Sequence, residues 1–130
     1  ATGGCAIEIS SYRDLKVWQK AMTIAEQVYR LTGRFPKDEI YGMTSQIRRA
    51  AVSIAANVAE GHGREHRGSF VQFLRIAQGS LKELETHLLL ALRVNLAPPD
   101  VVEPILAQCD ELGRMLRSLI RSVQRRQADD

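Results

Sequence analysis

The chain has 130 residues, of which 45% are hydrophobic and 25% charged, and its net charge is +3. This length and composition are typical of a single soluble globular domain. They argue against a membrane span, because no apolar run is long enough to cross a bilayer, and against a disulfide scaffold, because Cys5 and Cys109 are the only cysteines. We expect both cysteines to be free thiols in a reducing cytosol, which predicts a cytoplasmic protein.

The first predicted helix spans about residues 13–32 and follows an N-terminal tail, residues 1–11, that we predict to be flexible. Its expected buried face, spaced by three and four residues, comprises Leu15, Trp18, Met22, Ala25 and Tyr29. Gly33 is expected to end this helix, and Phe35-Pro36 to begin the next segment.

The second predicted helix, about residues 37–60, carries a core face and a polar row a quarter-turn away. The predicted core face comprises Ile40, Met43, Ile47, Ala50, Ile54 and Val58. The polar row comprises Gln46, Arg49, Ser53, Asn57 and Glu60. Because unpaired buried charges are costly, we expect partners for Arg49 and Glu60, with Glu83 or Glu85 as candidates. We interpret this row as packing and assembly residues, with a ligand or catalytic cluster and a plain solvated face as alternatives.

The third predicted helix covers about residues 69–95 and the fourth about residues 99–126. The core stripe of the third is predicted to comprise Phe70, Leu74, Ala77, Leu81, Leu84, Leu88 and Ala91. The fourth shows an unbroken heptad seam of Val102, Ile105, Cys109, Leu112, Leu116, Leu119 and Val123. Gly79 lies opposite the core stripe of its helix, where glycine costs about 1 kcal/mol relative to alanine. We therefore assign it to assembly, with the backbone of a second subunit approaching it, or else to a local kink.

Short connections between these helices predict that successive helices pack as antiparallel neighbours. The predicted fold is therefore all-α, an antiparallel up-down-up-down four-helix bundle over residues 12–127. Because the second helix has few residues suited to solvent, we expect the bundle to assemble as a closed homo-oligomer.

Basic side chains fall in rows on the outward helix faces, and arginine supplies 14 of the 18 basic residues. The candidate nucleic-acid-binding residues are Arg114, Arg117, Arg121 and Arg125 on the fourth helix, with Arg13, Lys16 and Lys20 on the first. The third helix lines up Arg75, Lys82 and Arg93, and no acidic residue occurs from Leu112 to Ala128. Such rows favour binding to a phosphate backbone, although an ordinary solvated helix face gives the same pattern.

The sequence predicts no catalytic residue, metal site or cofactor. Glu83 and His87 are four residues apart and off the core face, which differs from the Glu-x-x-His motif of di-iron bundles. His62 lies between Gly61 and Gly63, in a segment that lacks the Lys-Ser/Thr of a P-loop and that we interpret as a helix-ending turn.

The segment from about Tyr12 to Leu96 resembles a known family, most specifically in the pattern FP..E.YG...Q.RRA..SI..N.AEG.GR over residues 35–64. The family comprises four-helix bundle proteins first noticed as reading frames in intervening sequences of bacterial large-subunit ribosomal RNA genes. The resemblance implies an antiparallel bundle that assembles as a homopentamer and has no established catalytic residues. A similar protein, the accessory variability determinant of diversity-generating retroelements, implies nucleic acid and a reverse transcriptase as partners.

These observations together predict a non-enzymatic bacterial accessory or scaffold protein that binds RNA or DNA. The first alternative is a protein-interaction module that binds an acidic protein partner without nucleic acid. The second is an enzyme that uses the polar row of the second helix in a cleft between subunits.

Overall fold

The structure is a computed structural model, and it describes residues 11–129. Over this range the chain forms α-helices, two short 3₁₀ turns and no strand, which confirms the all-α prediction. The four helices are α1 (Lys16–Thr32), α2 (Met43–Gly63), α3 (Arg67–Arg93) and α4 (Pro99–Asp129). The 3₁₀ turns are Tyr12–Asp14 and Lys37–Glu39. The tail predicted over residues 1–11 lies outside the described residues, except for Ser11.

Each helix packs against two others, so that α1, α2, α3 and α4 surround one core, with α2 and α3 in the most extensive contact. Branched aliphatic side chains fill most of this core, because burying their apolar surface is favourable and they pack closely against one another. The largest fully buried side chains are Ile24, Val28, Ile47, Ile54, Val58, Leu74, Leu81, Leu84, Leu88, Val102, Leu112 and Leu116. No helix in the described range is long and apolar enough to cross a membrane.

Of the five residues predicted for the buried face of the first helix, Leu15 and Ala25 are buried, and the other three are not. Trp18 is only partly buried, and Met22 and Tyr29 are 37% and 46% exposed. The side chains of α1 that enter the core are Val17, Ala21, Ile24, Ala25, Val28 and Leu31. The helix carries two adjacent apolar stripes, and the one with compact side chains fits the interior while the one with long side chains lies at its edge.

Helix α2 begins at Met43 rather than near Lys37, and Ile40 is therefore 54% exposed instead of buried. Gly42 precedes the helix with φ −108° and ψ −112°, a backbone conformation outside the helical region. The carboxylate of Glu39 accepts a hydrogen bond of 3.2 Å from the Met43 N–H, which satisfies one free donor at the start of α2. The rest of the predicted core face is correct from Ile47 onward.

Helix α2 also continues through Gly63, beyond the predicted stop at Glu60. No described glycine has a positive φ, and the turns are made instead by Glu65 (φ 57°) and Asn95 (φ 62°). Gly61 is buried where α2 meets α3, and a Cβ atom there would lie 2.6 Å from Cβ of Phe73. Glycine at this position thus serves close helix packing rather than chain reversal.

Helix α4 confirms the predicted seam from Val102 to Leu116 and again at Val123, but between them Ile120 is buried and Leu119 only partly so. This drift is expected for a helix of 31 residues, because 3.6 residues per turn departs from a heptad. Cys109 is a free thiol with no exposed surface, and burial, helped by the charge of Glu85, raises its pKa to about 12. The thiol is therefore neutral and inert in the folded protein.

Candidate nucleic-acid interface

The four arginines nominated on α4 all lie on its exposed face. Arg114 forms an ion pair with Asp110, one turn earlier on the same helix. Within the described residues, no carboxylate pairs with Arg117, Arg121 or Arg125. The row of arginines on α4 therefore includes three whose charge is not offset by any acid that the structure describes.

The three basic residues nominated on α1 have different surroundings. Lys20 is only 23% exposed and forms an ion pair of 3.2 Å with Glu111 of α4. The guanidinium carbon of Arg13 lies 5.7 Å from the centroid of the Tyr12 ring. Lys16 lines a groove of about 520 Å³ between α1 and α4, where it shares the surface with Arg114. The structure thus brings Lys16 to the α4 row, whereas Lys20 contributes to the contact between the helices.

Arg117 lies at a second groove, of about 430 Å³, between α3 and α4. Arg75 and Lys82 of α3 line the same groove, with Gly79 between them in the sequence. Lys82 is largely exposed and forms an ion pair of 2.9 Å with Glu85. The sequence showed Arg75 and Lys82 in one row, seven residues apart, but their position beside Arg117 depends on which helices are neighbours.

The polar row of α2 comes together only in part. The Ser53 and Ser80 hydroxyl groups are 2.8 Å apart, and Asn57 donates to the Ser53 carbonyl at 2.8 Å and to its hydroxyl at 3.0 Å. The side chains of Gln46 and Arg49 form no hydrogen bond with another described residue.

The suggested pairing of this row with Glu83 or Glu85 is wrong. Glu60 pairs with Arg64 at 3.5 Å on its own helix, whereas Glu83 pairs with His87 and Glu85 with Lys82. Because Arg49 and Glu60 are exposed, water can solvate both charges without a partner on α3.

A third groove, of about 640 Å³, runs between α1 and α2 and is mainly apolar. Trp18, Met22 and Tyr29 line it from α1, and Val52, itself 45% exposed, lines it from α2 together with three alanines. At one edge the Arg48 guanidinium carbon stacks 4.5 Å from the Tyr29 ring centroid. Sequence reasoning assigned three of these side chains to the core and therefore missed this exposed apolar surface.

Within residues 11–129, no group of three or more His, Cys, Asp or Glu side chains is placed to hold a metal ion. His66 caps α3, because its Nδ1 accepts a hydrogen bond of 3.1 Å from the Ser69 N–H. His62 packs edge-on against Phe70. His62, in the last turn of α2, and His66, at the start of α3, therefore both have structural contacts.

Comparisons with known proteins identify the family. No curated protein matches the chain. A crystal structure of a protein of unknown function from the S23 ribosomal protein family of Bacteroides thetaiotaomicron VPI-5482 is similar, with a TM-score of 0.75 and 27% sequence identity. The match covers 81% of this chain and 95% of that one. The family model of the 23S rRNA-intervening sequence protein matches residues 13–118. The chain therefore belongs to the 23S rRNA-intervening sequence protein family.

Proposed function

We propose that this protein is a non-enzymatic cytoplasmic scaffold or accessory protein that binds nucleic acid through the outward face of α4. The observation that carries the proposal is the set of three exposed arginines that have no carboxylate partner among the described residues, Arg117, Arg121 and Arg125. They lie within the segment from Leu112 to Ala128, which contains no acidic residue. Neutralising a phosphate backbone releases condensed counterions, so such a row favours nucleic acid over an uncharged partner.

The spacing of the α4 row suits contacts to successive phosphates. Arg114 and Arg125 are eleven residues apart, which places about 16 Å between them along the helix axis. The planar guanidinium group can donate two parallel hydrogen bonds to one phosphate. Because these contacts read the backbone and not the base edges, we expect little sequence specificity.

We further propose that the bundle is antiparallel and assembles as a homopentamer, as the family resemblance implies. The apolar groove between α1 and α2 supports assembly, because monomeric proteins rarely expose a large apolar surface without a partner. Ile76 and Leu90 of α3, with Val94 directly after it, form a second exposed apolar row. A closed ring would repeat the α4 row in every subunit and so raise the affinity for a long nucleic acid. A reverse transcriptase is the protein partner that the resemblance suggests.

The proposal is tested with labelled single-stranded and double-stranded RNA and DNA at salt concentrations between about 50 and 200 mM. We expect the variant R117Q/R121Q/R125Q to bind more weakly than wild type. The slope of log affinity against log salt should fall by about 2 to 3, because each lost phosphate contact removes about 0.7 to 0.9.

The variant R30Q/R34Q/K37Q is the matched control, since it removes the same charge from exposed positions on α1 and the turn that follows. The slope for this control should stay near the wild-type value. If both variants weaken binding equally, net charge and not the α4 row determines the affinity. If wild type binds none of the four nucleic acids at low salt, the proposal is wrong and an acidic protein becomes the partner to seek.

A further inference from the structure

The groove between α3 and α4 is open because glycine occupies its wall on both helices. Gly79 belongs to α3 and Gly113 to α4, and both line the groove. A Cβ atom at Gly79 would meet no other atom within 4 Å. At Gly113 it would lie 3.6 Å from a Leu81 methyl carbon, an ordinary contact. Neither glycine is therefore required by packing within the chain.

The lining of this groove is cationic. Arg75, Lys82 and Arg117 contribute three positive charges, and Glu85 offsets the charge of Lys82, which leaves two. Gln78 adds an amide that can donate hydrogen bonds. Within the described residues, no carboxylate pairs with Arg75 or Arg117. An anionic chain is therefore electrostatically complementary to this groove.

The dimensions of the groove suit a narrow polymer. Arg75 and Lys82 are seven residues apart, or about 10.5 Å along the axis of α3. This distance exceeds the rise of one nucleotide along a nucleic-acid helix, about 3.4 Å, so more than one phosphate of a strand can lie between these side chains. The absence of side-chain atoms at Gly79 lets a strand lie against the helix backbone, between the basic side chains on either side.

We infer that this groove holds a phosphodiester backbone, with Arg75, Lys82 and Arg117 as its contacts and Gly79 as the position that admits it. The inference rests on the proposed function and extends the interface from α4 onto α3. It also gives Gly79 a role within a single subunit, in contrast to the subunit contact predicted from the sequence.

The test compares Gly79→Leu with Thr86→Leu, using labelled uridine and deoxythymidine oligonucleotides of matched length as probes. Leucine at position 79 fills the groove without meeting a neighbouring atom at its Cβ. Thr86 is exposed on the same helix about two turns later and does not line the groove, so its variant controls for added bulk. Helical content and oligomer mass are measured for each protein in the binding buffer.

We expect Gly79→Leu to weaken binding about tenfold, as for the loss of about two phosphate contacts, with Thr86→Leu within about twofold of wild type. The variant R75Q/R117Q should show a similar loss and a salt slope lower by about 2. Loss with the uridine probe alone identifies RNA as the ligand, loss with the deoxythymidine probe alone identifies DNA, and loss with both identifies the shared backbone.

Three results would overturn the inference, and they separate it from the proposed function. If Gly79→Leu binds as wild type while R117Q/R121Q/R125Q does not, the α4 row binds nucleic acid and the groove does not. If Gly79→Leu changes the oligomer mass, the groove is a subunit contact. If wild type binds neither probe at low salt, the inference about the groove is wrong; the proposed function is also wrong only if double-stranded RNA and DNA fail to bind as well.

Discussion

Replacing glycine with alanine should have opposite effects on stability at two positions of this bundle. At Gly61, a Cβ atom would lie 2.6 Å from Cβ of Phe73 and 3.2 Å from a ring carbon of Phe70. At Gly79, a Cβ atom would meet nothing within 4 Å. Gly61 lies in the last turn of α2 and Gly79 in the middle of α3, so alanine gains helix propensity at both, and a difference in sign reports packing.

The magnitudes follow from these distances. Two carbon atoms prefer a separation of about 3.5 to 4.0 Å, so Gly61→Ala must push α2 and α3 apart by about 1 Å. Cβ atoms are fixed to the helix backbone and cannot rotate away, and such overpacking costs about 1 to 3 kcal/mol. Alanine recovers about 1 kcal/mol of helix propensity. We therefore expect Gly61→Ala to lower the free energy of unfolding by about 1 kcal/mol, and Gly79→Ala to raise it by about 1 kcal/mol.

Urea denaturation monitored by circular dichroism measures both changes, provided that all three proteins are compared at the same subunit concentration. An unchanged m-value would show that the variants expose the same surface on unfolding as wild type. If Gly61→Ala were as stable as wild type, the close approach of α2 and α3 would not be what requires glycine. If both variants were stabilised equally, helix propensity alone would explain the data.

Two further predictions concern a buried thiol and a strained turn. Between about pH 8 and 10, wild type should lose about 1.4 kcal/mol more unfolding free energy than Cys109→Ala. The Cys109 thiol has a pKa of about 12 in the folded protein and an ordinary value of 9.0. The unfolded chain therefore ionises first, and the contribution of the protonated thiol to stability is complete below pH 9 and is lost as pH rises. Parallel pH profiles of the two proteins in urea titrations would contradict this. Glu65→Gly should raise the melting temperature, with a gain of about 0.5 to 1 kcal/mol, because Glu65 has a positive φ. Glu65→Ala keeps that strain, so an equal gain there would refute the explanation.

The sequence predicted the core most accurately where one helix face was unambiguous. In α4, the heptad spacing identified Val102, Cys109 and Leu116 correctly. In α1, two apolar stripes lie side by side, and the larger side chains of Met22 and Tyr29 favoured the wrong one. Periodicity fixes which residues share a face, but which of two apolar faces is buried depends on the neighbouring helices.

In the candidate interface, too, contacts within one helix could be predicted from the sequence, whereas contacts between helices could not. The pair of Asp110 and Arg114 follows from a spacing of four residues on one helix. The pair of Lys20 and Glu111 joins α1 to α4, and no spacing in the sequence indicates it. Likewise, the basic rows were visible in the sequence, whereas the grooves between them are set by the contacts of α4 with α1 and α3.

The unequal contacts between the helices imply an order of folding. Only residues 64–66 separate α2 from α3, and these two helices share the largest contact, whereas α1 and α4 share the smallest. Bringing α1 to α4 closes most of the chain into a loop, and the entropy lost on closure grows with loop length. The contact between α2 and α3 should therefore form early. The contact between α1 and α4 should form last, and it should open first in the native state. Lys16 and Arg114 line the groove between α1 and α4, so a phosphate backbone bound to both would stabilise the contact of these two helices, the least stable part of the bundle.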